Sequence, residues 1–193
     1  MRTLLIALIA ATALADEAAP ISRPSMRQLP EGGSLEKPPS RRQLVDARAA
    51  LKARFREPLS HTETAAGAML ASDILFQASL DETDRALKWL LLDESRELAA
   101  AAGNADAVTR AITVASAVYE FDALDTELRS LVEIPLRALD IMRAKQLAEA
   151  AETLALKART DGRGDLAESA TLLAIRAWQR TGNNEAARRA AGK

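Results

Sequence analysis

No cysteine occurs anywhere in the chain, and His61 is its only histidine. The first absence excludes disulfides, so a folded domain here must be held by core packing alone. The two together exclude a typical zinc site, which draws its ligands chiefly from those residue types. No metal ligand is assigned. A Ser-His-Asp relay would have to run through His61, and no serine sits in the Gly-x-Ser-x-Gly setting of a nucleophile elbow. No catalytic or cofactor-binding residue is assigned either, and no cofactor is expected.

Three further shortages bound the fold and the partners. Aromatic residues make up 3% of the chain, and β-branched residues never form a long run. Strands need such runs in alternation. Charge of one sign is lacking too: 26 basic side chains face 27 acidic ones, a formal net charge of −1. That balance argues against nucleic acid or an anionic membrane as partner. Long apolar runs are missing except for Leu4–Leu14, which is broken only by Thr12. A spanning helix needs roughly 20 apolar residues, and this run is about half that length. Arg2 before it and Ala13-Leu14-Ala15 at its end complete the layout of a cleavable signal peptide over residues 1–15. The expected product starts at Asp16, is periplasmic or secreted, and does not insert in a membrane.

What is present in quantity is alanine, 42 residues, with leucine, arginine and glutamate. All four are strong helix formers. Residues 16–39 come first as a linker. Pro20, Pro24, Pro30, Pro38 and Pro39 alternate there with Gly32-Gly33 and single charges. Too few large apolar side chains occur in this stretch to offset the entropy of ordering it. One helical domain is expected over 40–193.

Helical periodicity divides that domain. A first helix is expected over Arg41–Arg56, stopped by Glu57-Pro58 because the residue before proline disfavours the α conformation. Ser60-His61-Thr62-Glu63 has capping-box spacing. It predicts a second helix from His61 to about Ala78, with Ala66, Met69, Leu70, Asp73, Ile74 and Gln77 on one side. The third spans about Glu82–Ala102, with Leu87, Leu91, Ser95 and Leu98 on one stripe. Gly103 suits the left-handed residue that ends a helix, and Asn104 suits the cap of the next. That fourth helix runs to about Tyr119. Asp122 caps a fifth, which carries Leu124, Leu128, Leu131, Val132 and Leu136, and Pro135 either ends or kinks it. Asp140 caps a sixth helix to about Arg159, and Asp165 caps a seventh, closed by Gly182-Asn183. Asn184 to Ala191 is a short last helix or a frayed end. The junctions Gly103-Asn104 and Gly182-Asn183, each followed by alanine three residues after the Asn, with Gly164-Asp165 as a looser third case, resemble tetratricopeptide punctuation. The full eight-position pattern of that repeat is absent. The expected fold is all-α: antiparallel helix hairpins stacked into a tetratricopeptide-like array of about seven to eight helices.

The segment from Leu90 to Leu124 adds a family resemblance. Its features are Leu-Leu followed by Glu94, Arg96 and Leu98; Ala102-Gly103-Asn104; Ala111-Ile112; and Tyr119 before Asp122-Ala123-Leu124. These resemble a helical module near the N-termini of exported proteins from planctomycetes and related bacteria, with weaker likeness from about Leu51 to Ala187. The resemblance implies a signal peptide followed by stacked helix hairpins, and it carries over no catalytic residue.

The remaining chemistry-bearing groups have structural readings. His61, in His-x-Glu spacing with Glu63, reads as a solvent-facing first-turn residue. Asp81-Glu82-Asp84 sits at a helix start, where negative charge suits the macrodipole. Asp93-Glu94, near Glu97, reads as surface pairing with Arg96 or Lys88. A glycosidase would need two such acids converging in a cleft. Gly162-Arg163-Gly164 lacks the spacing and the preceding strand of a phosphate loop. Trp89 and Trp178 read as core anchors, with a partner-gripping aromatic as the alternative. The function these readings favour is a non-enzymatic scaffold or interaction module of the bacterial cell envelope, with a protein or peptide as partner. The rivals are an envelope hydrolase working through a carboxylate pair, and a structural spacer. Mass spectrometry of the protein recovered from its native host is expected to find an N-terminus at Asp16. An intact Met1 in a cytosolic fraction would refute the leader.

Overall fold

Every regular element among residues 35–192, which the computed structural model describes, is a helix. The expected leader and most of the expected linker (residues 1–34) lie outside the described residues. The helices are α1 Arg41–Arg54, α2 Arg56–Leu59, α3 Ala65–Asp81, α4 Arg85–Ala101 and α5 Ala105–Ser116. They continue with α6 Ala123–Glu133, α7 Ile141–Thr160, α8 Gly164–Arg180 and α9 Asn184–Ala190, and a single 3-10 turn covers Leu136–Ala138. No described helix is long and apolar enough to cross a membrane.

The helices form two rows. Sequence neighbours from α3 to α9 pack as hairpins, most extensively α3 with α4 and α7 with α8. Within the rows, α3 touches α5 and α5 touches α7, while α4 touches α6 and α6 touches α8. The first helix joins the second row beside α4. This is the expected helical array.

Side-chain caps set the helix starts. Asn104 accepts from the Ala107 amide, Asp122 from Asp125 and Asp140 from Arg143, as expected. Thr64, Asp84 and Asn183 cap α3, α4 and α9 in the same way. Each such cap contributes about 1 kcal/mol. Two expected caps are corrected. Ser60 does not start a helix: its hydroxyl donates back to the Glu57 carbonyl at the end of α2. Thr64 caps α3 instead, because Gly67 lets the His61 carbonyl lie where a Cβ would otherwise sit. Asp165 lies one residue inside α8, and Arg163 holds the cap position.

Pro58 and Pro135, the two prolines after the start of α1, sit where a helix tolerates or ends at them. The expected stop at Glu57-Pro58 is corrected: α1 ends at Arg54, the break falls at Phe55, and Glu57 and Pro58 both lie inside α2. Pro58 is the third residue of α2, where a first-turn amide has no helical partner to lose. Pro135 ends α6 rather than kinking it, since Ile134 leaves the helix in an extended conformation.

Burial follows the expected stripe in α4, where Leu87, Leu91 and Ser95 are buried, and departs from the expected stripes in α3 and α6. The buried side of α3 is Ala68, Ala71, Ser72, Leu75 and Ser79, while Met69 and Leu70 are exposed. Apolar residues surround α3, so periodicity did not mark its inner face, and close packing on α4 selected the small one. Ser72 and Ser95 lock that contact: each hydroxyl donates to the other's backbone carbonyl, at 2.8 and 2.9 Å. In α6, Val132 is exposed and Glu127 and Ser130 are buried. The α7–α8 hairpin is packed on alanine. Ala144, Ala148, Ala151, Ala155 and Ala158 meet Ala167, Ala170, Ala174 and Ala177, all buried. The alternating three- and four-residue spacing keeps both stripes facing each other.

Gly103 has φ +74°, and a Cβ there would lie 2.5 Å from Leu139 Cδ2. Next to it, Arg143 donates to the Ala102 carbonyl at 2.9 Å, tying this turn to α7. Gly182 has φ +78° but nothing within 4 Å of a Cβ. Gly182→Ala is expected to cost about 1–2 kcal/mol from the left-handed backbone alone. Gly103→Ala should cost about 1–3 kcal/mol more through overpacking. Urea unfolding of the two variants checks the difference, and equal losses would refute the Leu139 contact.

Candidate functional site

Tyr119 is the fixed point of a ring cluster beside an apolar groove. It follows α5, is buried, and donates its hydroxyl to the Arg85 carbonyl at 2.7 Å. Burial pushes its phenol up to about 12, and the Glu36 carboxylate adds to the shift. Trp89 of α4 stands edge-on to Tyr119 at 5.0 Å between ring centres and to Phe121 at 5.3 Å. Edge-to-face pairs of this kind add about 0.5–1.5 kcal/mol beyond burial.

These rings open into a groove of about 280 Å³ between α4, α5 and α6. Trp89, Phe121, Leu92 and Ile112 make its apolar surface, and Pro38 contributes from the segment before α1. At one end sit Asp93 and Arg96. Arg96 Nη2 is 2.6 Å from Asp93 Oδ1, and its Nη1 donates to the Ser130 hydroxyl at 2.8 Å. Ser130 in turn donates to the Thr126 carbonyl. The pair is therefore fixed across α4 and α6.

The segment carrying Pro38 belongs to the stretch expected as linker. Glu36 donates its amide to the Val118 carbonyl at 2.9 Å and accepts from the Glu120 amide at 2.6 Å. This parallel bridge is the one pairing of extended backbone among the described residues. The Glu36 carboxylate lies 2.8 Å from Arg85 Nη2.

The other candidate residues are dispersed. His61 is exposed in the turn before α3, and no group of three metal-ligating side chains occurs among the described residues. Glu82 binds the Asp84 and Thr83 amides and pairs with Arg54 at 2.6 Å. The bond from the Asp84 amide leads in holding its carboxyl below the usual range. Glu94 is half-buried, and burial, reinforced by Glu97 and Asp93, raises its carboxyl. It lies outside the groove lining and feels the Arg48 charge of α1. Arg163, in the glycine-flanked loop, pairs with Asp122 at 3.0 Å. Trp178 is a core anchor whose indole donates to Glu152 at 2.9 Å. Trp89 both anchors the core cluster and lines the groove.

Two polar contacts had no signal in the sequence. Glu127 is buried and accepts from the Thr109 hydroxyl at 2.8 Å, with Lys157 Nζ at 3.8 Å. A second, polar hollow of about 350 Å³ lies between α7, α8 and α9, where Arg159 donates to the Thr171 hydroxyl.

Against known proteins, the chain matches no family model, no curated protein and no solved structure.

Because its folded carboxyl is raised, Glu94 favours the folded state fully below its ordinary value of 4.5, and that contribution is lost as pH rises through the raised value. Glu94→Gln is expected to raise Tm at pH 7 by about 2 °C, a shift matching a fraction of a kcal/mol in a chain of this size. At pH 4 the variant and the parent should melt together. A lower Tm at pH 7 would refute the burial of this acid.

Proposed function

We propose that this chain is a non-enzymatic helical interaction module of the bacterial cell envelope, exported through its leader, that holds a segment of an extended peptide in the groove between α4, α5 and α6. The groove itself carries the reading. Its surface is aromatic and aliphatic, and its one ion pair is already satisfied within the protein. Such a site gains from burying an apolar side chain and leaves no charge unpaired when it does so.

The hydrolase rival fits this geometry less well. Glycan hydrolysis needs two carboxyl groups facing each other across the bond to be cut. The groove has Asp93, neutralised by Arg96, while Glu94, the acid with a raised carboxyl, lies outside it. A spacer would have no use for an apolar concavity with a polar end.

Selection of random displayed peptides on the full chain tests the reading. The selected peptides are expected to carry a large apolar side chain and to shift the Trp89 emission on binding. Thr126→Trp, a substitution at the groove rim, should weaken them at least tenfold, about 1.4 kcal/mol. Failure to select any peptide would favour the spacer. Turnover of envelope glycan that disappears in Asp93→Asn or Glu94→Gln would establish the hydrolase instead.

A further inference from the structure

We propose that residues 35–39 are an internal competitor for this groove, and that the partner is an extended peptide with an acidic residue two positions before a proline, which displaces them. The inference rests on the module reading above and names the ligand class and the control of the same site.

The chain shows what its own groove accepts. The strap lies parallel to residues 118–120, and Glu36 makes both of its backbone bonds there, one to Val118 and one from Glu120. Backbone pairing of this sort reads no sequence, so any extended peptide can make it. Selectivity comes from the side chains. Glu36 sets its carboxylate on Arg85, and two residues later Pro38 reaches the groove wall beside Trp89 and Phe121. Proline loses little freedom on binding an aromatic surface, because its φ is already fixed.

The strap is also built to leave. No side chain from Leu35 to Pro39 is fully buried, and Leu35 is 50% exposed. The Arg85 side chain of the ion pair is 73% exposed, where such pairs contribute little. What keeps the strap in place is its covalent tether to α1, which makes its own binding intramolecular. A peptide with the same two anchors and a further apolar contact in the groove can replace it.

The probe is a synthetic peptide copying residues 33–40, offered to the full chain and to its Glu36→Pro variant. That substitution removes both the donor amide and the carboxylate of the strap. The peptide is expected to bind the variant at least tenfold more tightly than the parent. Replacing the peptide's glutamate by glutamine, or its first proline by glycine, should weaken it several-fold. Should Glu36→Pro fail to fold, Glu36→Ala, which frees Arg85 and keeps the amide, is expected to gain at least threefold over the parent. Equal binding to parent and variant, or no binding to a folded variant, overturns the competitor. If peptides selected from a random library still bind and Thr126→Trp still blocks them, the strap inference alone fails. If no peptide of either kind binds, the module reading fails with it.

Discussion

Close approach of helices through alanine is the contact on which everything else in this protein depends. An alanine side chain buries one methyl group, worth about 0.8 kcal/mol, so no single residue of the α7–α8 seam stabilises much. Nine alanines along two facing stripes, all buried, do so together. They act only while the helix axes stay close enough for those methyls to touch, near the short end of the usual 8–10 Å. No disulfide, metal cluster or large aromatic core stands behind them among the described residues. Turn geometry therefore becomes a matter of stability. The left-handed glycines at 103, 162 and 182 set how α4 meets α5, α7 meets α8 and α8 meets α9. At Gly103 the turn is in addition packed against Leu139 and bound by Arg143.

The same economy of side-chain volume explains where the groove is. Four of the six aromatic residues (Phe76, Trp89, Tyr119 and Phe121) gather in one cluster at the ends of α3, α4 and α5. Large rings hold helices further apart than alanine does. A tight alanine seam at one end of the array and a ring cluster at the other leave a concavity beside the rings. Arg96 and Asp93 close one end of it with a charge pair that α6 completes through Ser130.

Much of this was legible beforehand, and the failures have physical reasons. Asn104, Asp122 and Asp140 were readable as caps because a short polar side chain before an apolar period has few other uses. The inner stripe of α4 was readable because Leu87, Leu91, Ser95 and Leu98 recur there at helical spacing. The face of α3 was not, since Met69 and Leu70 are as apolar as the small residues that the Ser72–Ser95 contact turned inward. Ser60 matched a capping box by spacing alone, and Gly67 decided the matter through a contact with the His61 carbonyl that no local pattern encodes. The groove depends on Pro38, Trp89 and Phe121 coming together from distant positions. The bridge from Glu36 to Val118 and Glu120 is made by backbone, which leaves no mark on side-chain identity.

The two-row arrangement also shapes how the molecule comes apart. Each helix makes its substantial contacts with helices at most three places away along the chain. Contact order is therefore low, and cohesion is a sum of neighbouring interfaces with no single keystone. The interfaces are unequal: α7 against α8 is extensive, whereas α9 is held by α8 alone among the major contacts. Loss of α9 would expose Ala186 and Ala187 and the outer side of α8 without disturbing the α3–α4 pair. Because α9 rests on α8 alone among the major contacts, the chain has an end that can open on its own while the aromatic groove stays formed.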